Sequence, residues 1–148
     1  MATEKDDFEK ESLAIPKGKK MNRKTEKEKA RKAFRMFIRL RDCPDGLGAC
    51  FTCGKAKKIS DGQAGHFCQG SHDSTYFIEY ACHFQCVKCN MYLSANLTPY
   101  TLKMIDIYGR SCVEELDRLN HTTVDLKADD FHEIYLKYKK KCEELSLT

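Results

Sequence analysis

Glycine and proline are scarce in this 148-residue chain, at eight and three residues. That excludes a collagen-like composition. No stretch approaches the ~18 consecutive apolar residues of a membrane span, so no membrane partner is expected. The opening Met1-Ala2-Thr3-Glu4-Lys5-Asp6-Asp7 is charged where a signal peptide needs an apolar core, and no export signal is expected. Internal repeats are absent. The length fits one small domain with a tail.

Cysteine, in contrast, is abundant: nine residues, an odd number. Four of them stand at metal-ligand spacing, which argues for a reducing cytoplasm over a secreted disulfide framework. Cys50/Cys53 and Cys86/Cys89 are two Cys-x-x-Cys pairs bracketing 32 residues. Such pairs read as one tetrahedral structural site built from two knuckles, with one zinc ion per chain. Four thiolates also bind iron, which keeps a rubredoxin-like site as the minor alternative. Cys43, Cys68, Cys82, Cys112 and Cys142 read as small buried apolar residues or free thiols. Cys68 or Cys82 as a ligand in a rearranged site is the other option.

Net charge is only +4, yet residues 17–41 carry +10. That asymmetry points to a polyanion-binding face at one end. Residues 1–20 are mixed-charge, poor in large apolar groups and read as a disordered tail. Residues 21–148 read as a single α+β zinc-containing domain. Within it a basic helix is predicted over 22–41, with Ala30, Ala33, Phe34, Phe37 and Ile38 on one stripe and Arg41 extending it. Lys29, Lys32, Arg35 and Arg39 lie opposite. Phosphate contact is expected from Lys24, Lys32, Arg35, Arg39 and Arg41.

A ββα core is predicted over 47–96. It comprises a first knuckle followed by a short hairpin, a strand over 63–67, a loop over 68–75 and a strand over 76–81. The second knuckle then opens a helix through Leu93. Helices are predicted over 98–146. Thr98-Pro99 starts one that Gly109 stops, and Ser111 caps another over 112–119. The last, over 127–145, puts Phe131, Ile134, Tyr135, Tyr138, Cys142 and Leu145 on a stripe that is core or a dimer surface. The two ends of the chain are expected to bury little around the cysteine loop, so folding should depend on the metal.

His66 and Asn90 are the candidate catalytic pair. A neutral imidazole can take a proton from water, as phosphodiester hydrolysis requires. An asparagine carbonyl is a hard oxygen ligand suited to a magnesium-type ion. A buried structural histidine is the equal alternative for His66. His83 is a weaker candidate for metal or phosphate contact, with a structural hydrogen bond as its other reading.

Cys-Phe-Thr-Cys-Gly (50–54), Gln-Ala-Gly-His-Phe (63–67), Gln-Cys-Val-Lys-Cys-Asn (85–90), Asn96 and Tyr108-Gly109, in that order, resemble the NinG (Rap) family of phage recombination proteins. The resemblance covers about residues 25–145. It implies a His-Me finger (HNH-like, ββα-metal) core and a structure-specific endonuclease that cuts branched recombination intermediates such as Holliday junctions and D-loops. Cys-x-x-Cys-Asn also resembles the phage junction resolvase endonuclease VII. Carried over by position, His66 is the general base and Asn90 holds catalytic Mg²⁺ or Mn²⁺. Cys50, Cys53, Cys86 and Cys89 hold structural zinc. Branched DNA is the implied partner, with a homodimer and other recombination proteins as further candidates. Four positions depart from the pattern, among them Tyr76 and Ile78, which stand where the family has a basic and an acidic residue. Gly65 stands where many such nucleases have a metal-binding Asp, and Ala81 where they have the asparagine that pins the loop orienting the base. These departures carry the rival readings, a catalytically weak or inactive junction-binding protein and a zinc-stapled interaction module.

Overall fold

Helix α1 spans Arg23–Asp42 in the computed structural model, which describes residues 20–147. The tail expectation therefore lies, apart from Lys20, outside the described residues. Asn22 caps α1: its side-chain oxygen accepts from the Thr25 N–H at 3.3 Å. Such a cap is worth about 1 kcal/mol. The apolar stripe is buried as its spacing demands, through Ala30, Ala33, Phe34, Phe37 and Ile38.

Its partner is the last helix, Ala128–Ser146, labelled α5 in chain order below. Phe131, Tyr135, Tyr138 and Cys142 bury against α1, with the Phe34 and Tyr138 rings edge-on at 5.0 Å. The C-terminal stripe is thus core within one chain and is not left for a second copy. This also corrects the expectation that the two ends bury little: they form the largest core cluster of the described residues.

In chain order, two small antiparallel sheets lie between these helices. In the first, β1 (Leu47–Ala49) pairs with β2 (Ala56–Lys58), and the first knuckle is their turn. The sequence placed a hairpin after the knuckle; the knuckle itself closes the hairpin. In the second, β3 (Gly62–His66) pairs with β4 (Cys82–Cys86), Gly62 opposite Cys86 and His66 opposite Cys82. The strand expected over 76–81 is displaced. Helical turn α2 (Asp73–Tyr76) and a 3-10 turn (Glu79–Ala81) occupy that stretch instead. Strand preference reflects packing context. Tyr76 and Phe77 are drawn into the α1–α5 core, so pairing starts six residues later.

After β4 the chain makes a π-type turn, Lys88–Tyr92, and a 3-10 turn, Ser94–Asn96, where a helix through Leu93 was expected. Helix α3 (Leu97–Tyr108) then packs on the β3–β4 sheet, its Tyr100 hydroxyl donating to the Gly65 carbonyl at 2.7 Å. The order β3, β4, α3 is β-β-α. Gly109, at φ +91°, ends α3 and starts α4 (Arg110–Asn120), which Ser111 therefore does not cap. Ala81, Tyr100, Met104 and Leu116 form a second core cluster under α3 and α4. The molecule is α+β and mostly helical, and no helix of the described residues is long and apolar enough to cross a membrane.

Candidate functional site

The four knuckle cysteines converge because β1–β2 and the end of β4 bring their turns together. Their Sγ atoms all lie within 4.8 Å of one another, and Cys53 Sγ is 3.8 Å from Cys86 Sγ. A tetrahedron with ~2.3 Å metal–sulfur bonds has edges of roughly 3.8 Å. Donors already face the sulfurs: the Cys89 N–H reaches Cys86 Sγ at 3.4 Å, and Asn96 Nδ2 reaches Cys89 Sγ at 3.6 Å. Gly54, at φ +77°, makes the tight turn after the first pair. The set could hold a metal such as zinc. Among the described residues no other group of three His, Cys, Asp or Glu side chains is so arranged. Cys68 and Cys82 are not part of it, and of the five remaining cysteines Cys43, Cys82 and Cys142 are buried.

His66 ends β3 and is half-buried between the rings of Phe34 at 5.8 Å and Tyr76 at 4.1 Å. Its Nε2 lies 3.0 Å from the Tyr76 carbonyl oxygen. A carbonyl only accepts, so Nε2 carries the proton and Nδ1 is left as the acceptor of a neutral ring. Burial pushes the imidazole down to about 4; the Tyr76 carbonyl works against this, and the charges of Arg35 and Arg31 add to it. The ring is therefore neutral at neutral pH. Arg35 Nη1 donates to the Tyr76 hydroxyl at 2.8 Å, and the Arg31 guanidinium lies 4.1 Å over the Tyr76 ring. Helix α1 thus brings positive charge to the base candidate.

Asn90 sits in the π-type turn and donates through Nδ2 to Gln63 Oε1 at 2.8 Å, which leaves its own oxygen unshared among the described residues. Side chains alternate along a strand, so Gln63 and His66 leave opposite faces of β3. No hydrogen bond joins His66 to Asn90 among the described residues.

The departure at Gly65 has a packing cause. A Cβ there would lie 1.8 Å from Gln85 Oε1, so position 65 admits no carboxylate ligand. Gln85 is fully buried and fixed by Nε2 bonds to Thr52 Oγ1 at 3.0 Å and the Ala95 carbonyl at 2.8 Å.

The departure at Ala81 is offset elsewhere. Residues 67–81 form a strap between β3 and β4, closed by the Phe67 N–H on the Ala81 carbonyl at 2.9 Å. Arg41 fastens it to α1, donating to the Glu79 carbonyl at 2.8 Å and the Cys82 carbonyl at 2.7 Å while paired with Asp42. Asp42 in turn accepts the Phe84 N–H at 2.9 Å. The phosphate-contact expectation for Arg41 therefore gives way to an internal clamp. The signal was its place on the buried stripe with Phe34, Phe37 and Ile38.

His83 also serves the strap: its Nε2 donates to the Tyr80 carbonyl at 2.9 Å, and its ring stacks on Phe51 at 3.9 Å. Burial pushes it down to about 4, and it is only 8% exposed. Its structural reading is the one that fits. Of the other basic candidates, Lys24, Lys32 and Arg35 are exposed, and Arg39 is half-buried with Nη2 on Met36 Sδ at 3.6 Å. Sequence reasoning missed Arg23, Lys27 and Arg31, which converge on Asp73 of the strap. Their spacing of four put them on one helix face, but nothing in the sequence named the acid they meet.

Residues 1–147 match the family model described as Bacteriophage Lambda NinG protein. The chain is 31% identical over 121 residues to Protein ninG of Escherichia phage 933W, covering 80% of this chain and 57% of that protein. Protein ninG of Escherichia phage lambda is also 31% identical over 121 residues, covering 80% and 56%. Protein ninG of Salmonella phage P22 is 32% identical over 125 residues, again covering 80% and 56%. The chain spans a little over half the length of these curated relatives. No solved structure matches it.

Proposed function

The chain belongs to the NinG family of bacteriophage proteins, and from that premise we propose that it is a metal-dependent endonuclease acting on branched DNA in phage recombination. The observation that carries this reading is His66. Its Nε2 is tied to the Tyr76 carbonyl, its Nδ1 is the acceptor of a neutral ring, and α1 brings Arg31 and Arg35 beside it.

In the proposed reaction a water oxygen attacks the scissile phosphorus. His66 Nδ1 takes the water proton as the new P–O bond forms. The bond to the leaving sugar oxygen breaks, and solvent returns a proton to that oxygen. Arginine holds charge on the phosphate while Nε2 stays donated to the carbonyl, which fixes the ring.

Asn90 offers one neutral oxygen, and Gln85 keeps a carboxylate out of position 65. That set suits an ion that keeps most of its waters and is shared with substrate phosphate. When bound, such an ion would stabilise charge on the phosphate and the leaving oxygen.

A second reading, a junction-binding protein without cleavage, is favoured by the separation of His66 and Asn90 on opposite faces of β3. A synthetic four-way junction distinguishes the two. With zinc-loaded protein and added Mg²⁺ or Mn²⁺ we expect cleavage that falls at least ~100-fold in His66→Ala. Equal cutting by wild type and His66→Ala sinks the catalytic assignment. Binding without any cutting favours the second reading, and no binding at low salt sinks both.

A further inference from the structure

Asp73, at the start of α2, places its carboxylate among three cations of α1. Arg31 Nη2 is 3.0 Å and Lys27 Nζ 3.2 Å from Oδ1, and Arg23 Nη2 is 3.3 Å from Oδ2. The acid side chain is 13% exposed. One carboxylate thus faces three cations, and among the described residues the only other acid shown to feel one of them is the exposed Asp125, near Arg23.

Each cation is also aimed by a second contact. Arg23 Nε donates to the Leu126 carbonyl at 2.8 Å, and its guanidinium lies 5.1 Å over the Phe131 ring. Lys27 Nζ lies 5.9 Å over the same ring. Arg31 stacks on Tyr76 and donates to the Ser71 carbonyl at 2.8 Å. Their rotamers are therefore set before any ligand arrives, which lowers the entropic cost of binding one. A cluster of two guanidinium groups and an ammonium suits an anion with more oxygens and more charge than a carboxylate.

The acid rides on a segment that turns through the left-handed region at Gly70, φ +95°, and Ser71, φ +52°. Three residues after Asp73, the same segment delivers the Tyr76 carbonyl to His66.

We infer that Asp73 stands in for a phosphate: Arg23, Lys27 and Arg31 form a phosphate subsite that Asp73 fills in the free protein, and a backbone phosphate of bound nucleic acid displaces it. The nucleic-acid part rests on the DNA reading above. The grip on the backbone is then centred on Arg23, Lys27 and Arg31.

The test uses the full zinc-loaded chain and the variant Asp73→Asn. Inorganic phosphate is titrated while the Nε–H signals of Arg23 and Arg31 are followed by NMR. These signals should move with phosphate, at several-fold lower concentration in Asp73→Asn. With junction DNA the variant should bind several-fold tighter at low salt, and its log K against log salt slope should steepen by about one. Arginine signals indifferent to phosphate in both proteins overturn the subsite, whatever DNA does. A phosphate response with no DNA bound at low salt supports the subsite and overturns the DNA reading. Weaker DNA binding by an Asp73→Asn protein with wild-type melting overturns the displacement. Should that variant not fold, Arg23→Gln with Lys27→Gln should weaken the phosphate response and flatten the salt slope; no change overturns the subsite.

Discussion

His66 and His83 have different sequence neighbours and the same fate: each donates Nε2 to a backbone carbonyl, and burial pushes each down to about 4. The sequence separated them as strong and weak catalytic candidates. What distinguishes them in the fold is exposure and company, since His66 sits beside arginines at a strand end and His83 lies under Phe51. Unfolded, both would titrate near ~6.5. Between that value and about 4 the unfolded chain binds more protons, so stability falls as pH falls through this window and is complete above it. The loss is on the order of 3 kcal/mol for each ring at full titration. By NMR, the ring protons of both residues should stay at their neutral limit from pH 8 down to about 5.5. A midpoint near ~6.5 for either would contradict its burial. Gly65 belongs to this scale as well. Its missing side chain was legible as a departure, but Gln85, the reason for it, was not.

At the scale of elements, helical period was the reliable signal. The α1 and α5 stripes were readable because spacing of three and four residues is a local property, and both are buried. The strand over 76–81 was misread because Tyr, Phe and Ile are common to strands and to buried turns, and only the fold says which. Arg41 was misread for a related reason: a cation on a basic helix looks like its neighbours until its acceptors are known. Its two carbonyl partners and Asp42 join α1 to the strap and β4. Arg41→Ala should therefore cost about 2–3 kcal/mol in urea unfolding, the range for charged hydrogen bonds whose buried partners are orphaned. Lys24→Ala, at an exposed position, should change stability by less than ~0.5 kcal/mol. If α1 grips DNA, it should also reduce the salt slope by about one. Equal stability of the two variants would show that Arg41 does not clamp the strap.

At the scale of the molecule, two apolar clusters and the cysteine cluster divide the work. The α1–α5 core includes none of the four cysteines. A strong zinc chelator should therefore act regionally. We expect loss of one equivalent of zinc, with hydrogen-exchange protection lost over residues 50–58 and 86–96 and retained in α1 and α5. Global loss of helix on chelation would instead restore the expectation that the whole fold depends on metal. The sequence by itself determined the four-cysteine site, the basic amphipathic first helix, the helical C-terminal region and the family. Each of these is carried by residue type and short-range spacing. Only the tertiary structure decided that α5 is the partner of α1, that Arg41 and His83 hold the strap, that Gln85 closes position 65, and that Asp73 meets Arg23, Lys27 and Arg31. Apart from the three-residue reach of His83 to Tyr80, those pairings join residues 20 to more than 100 positions apart, and local pattern carries no information about which distant group a side chain will meet.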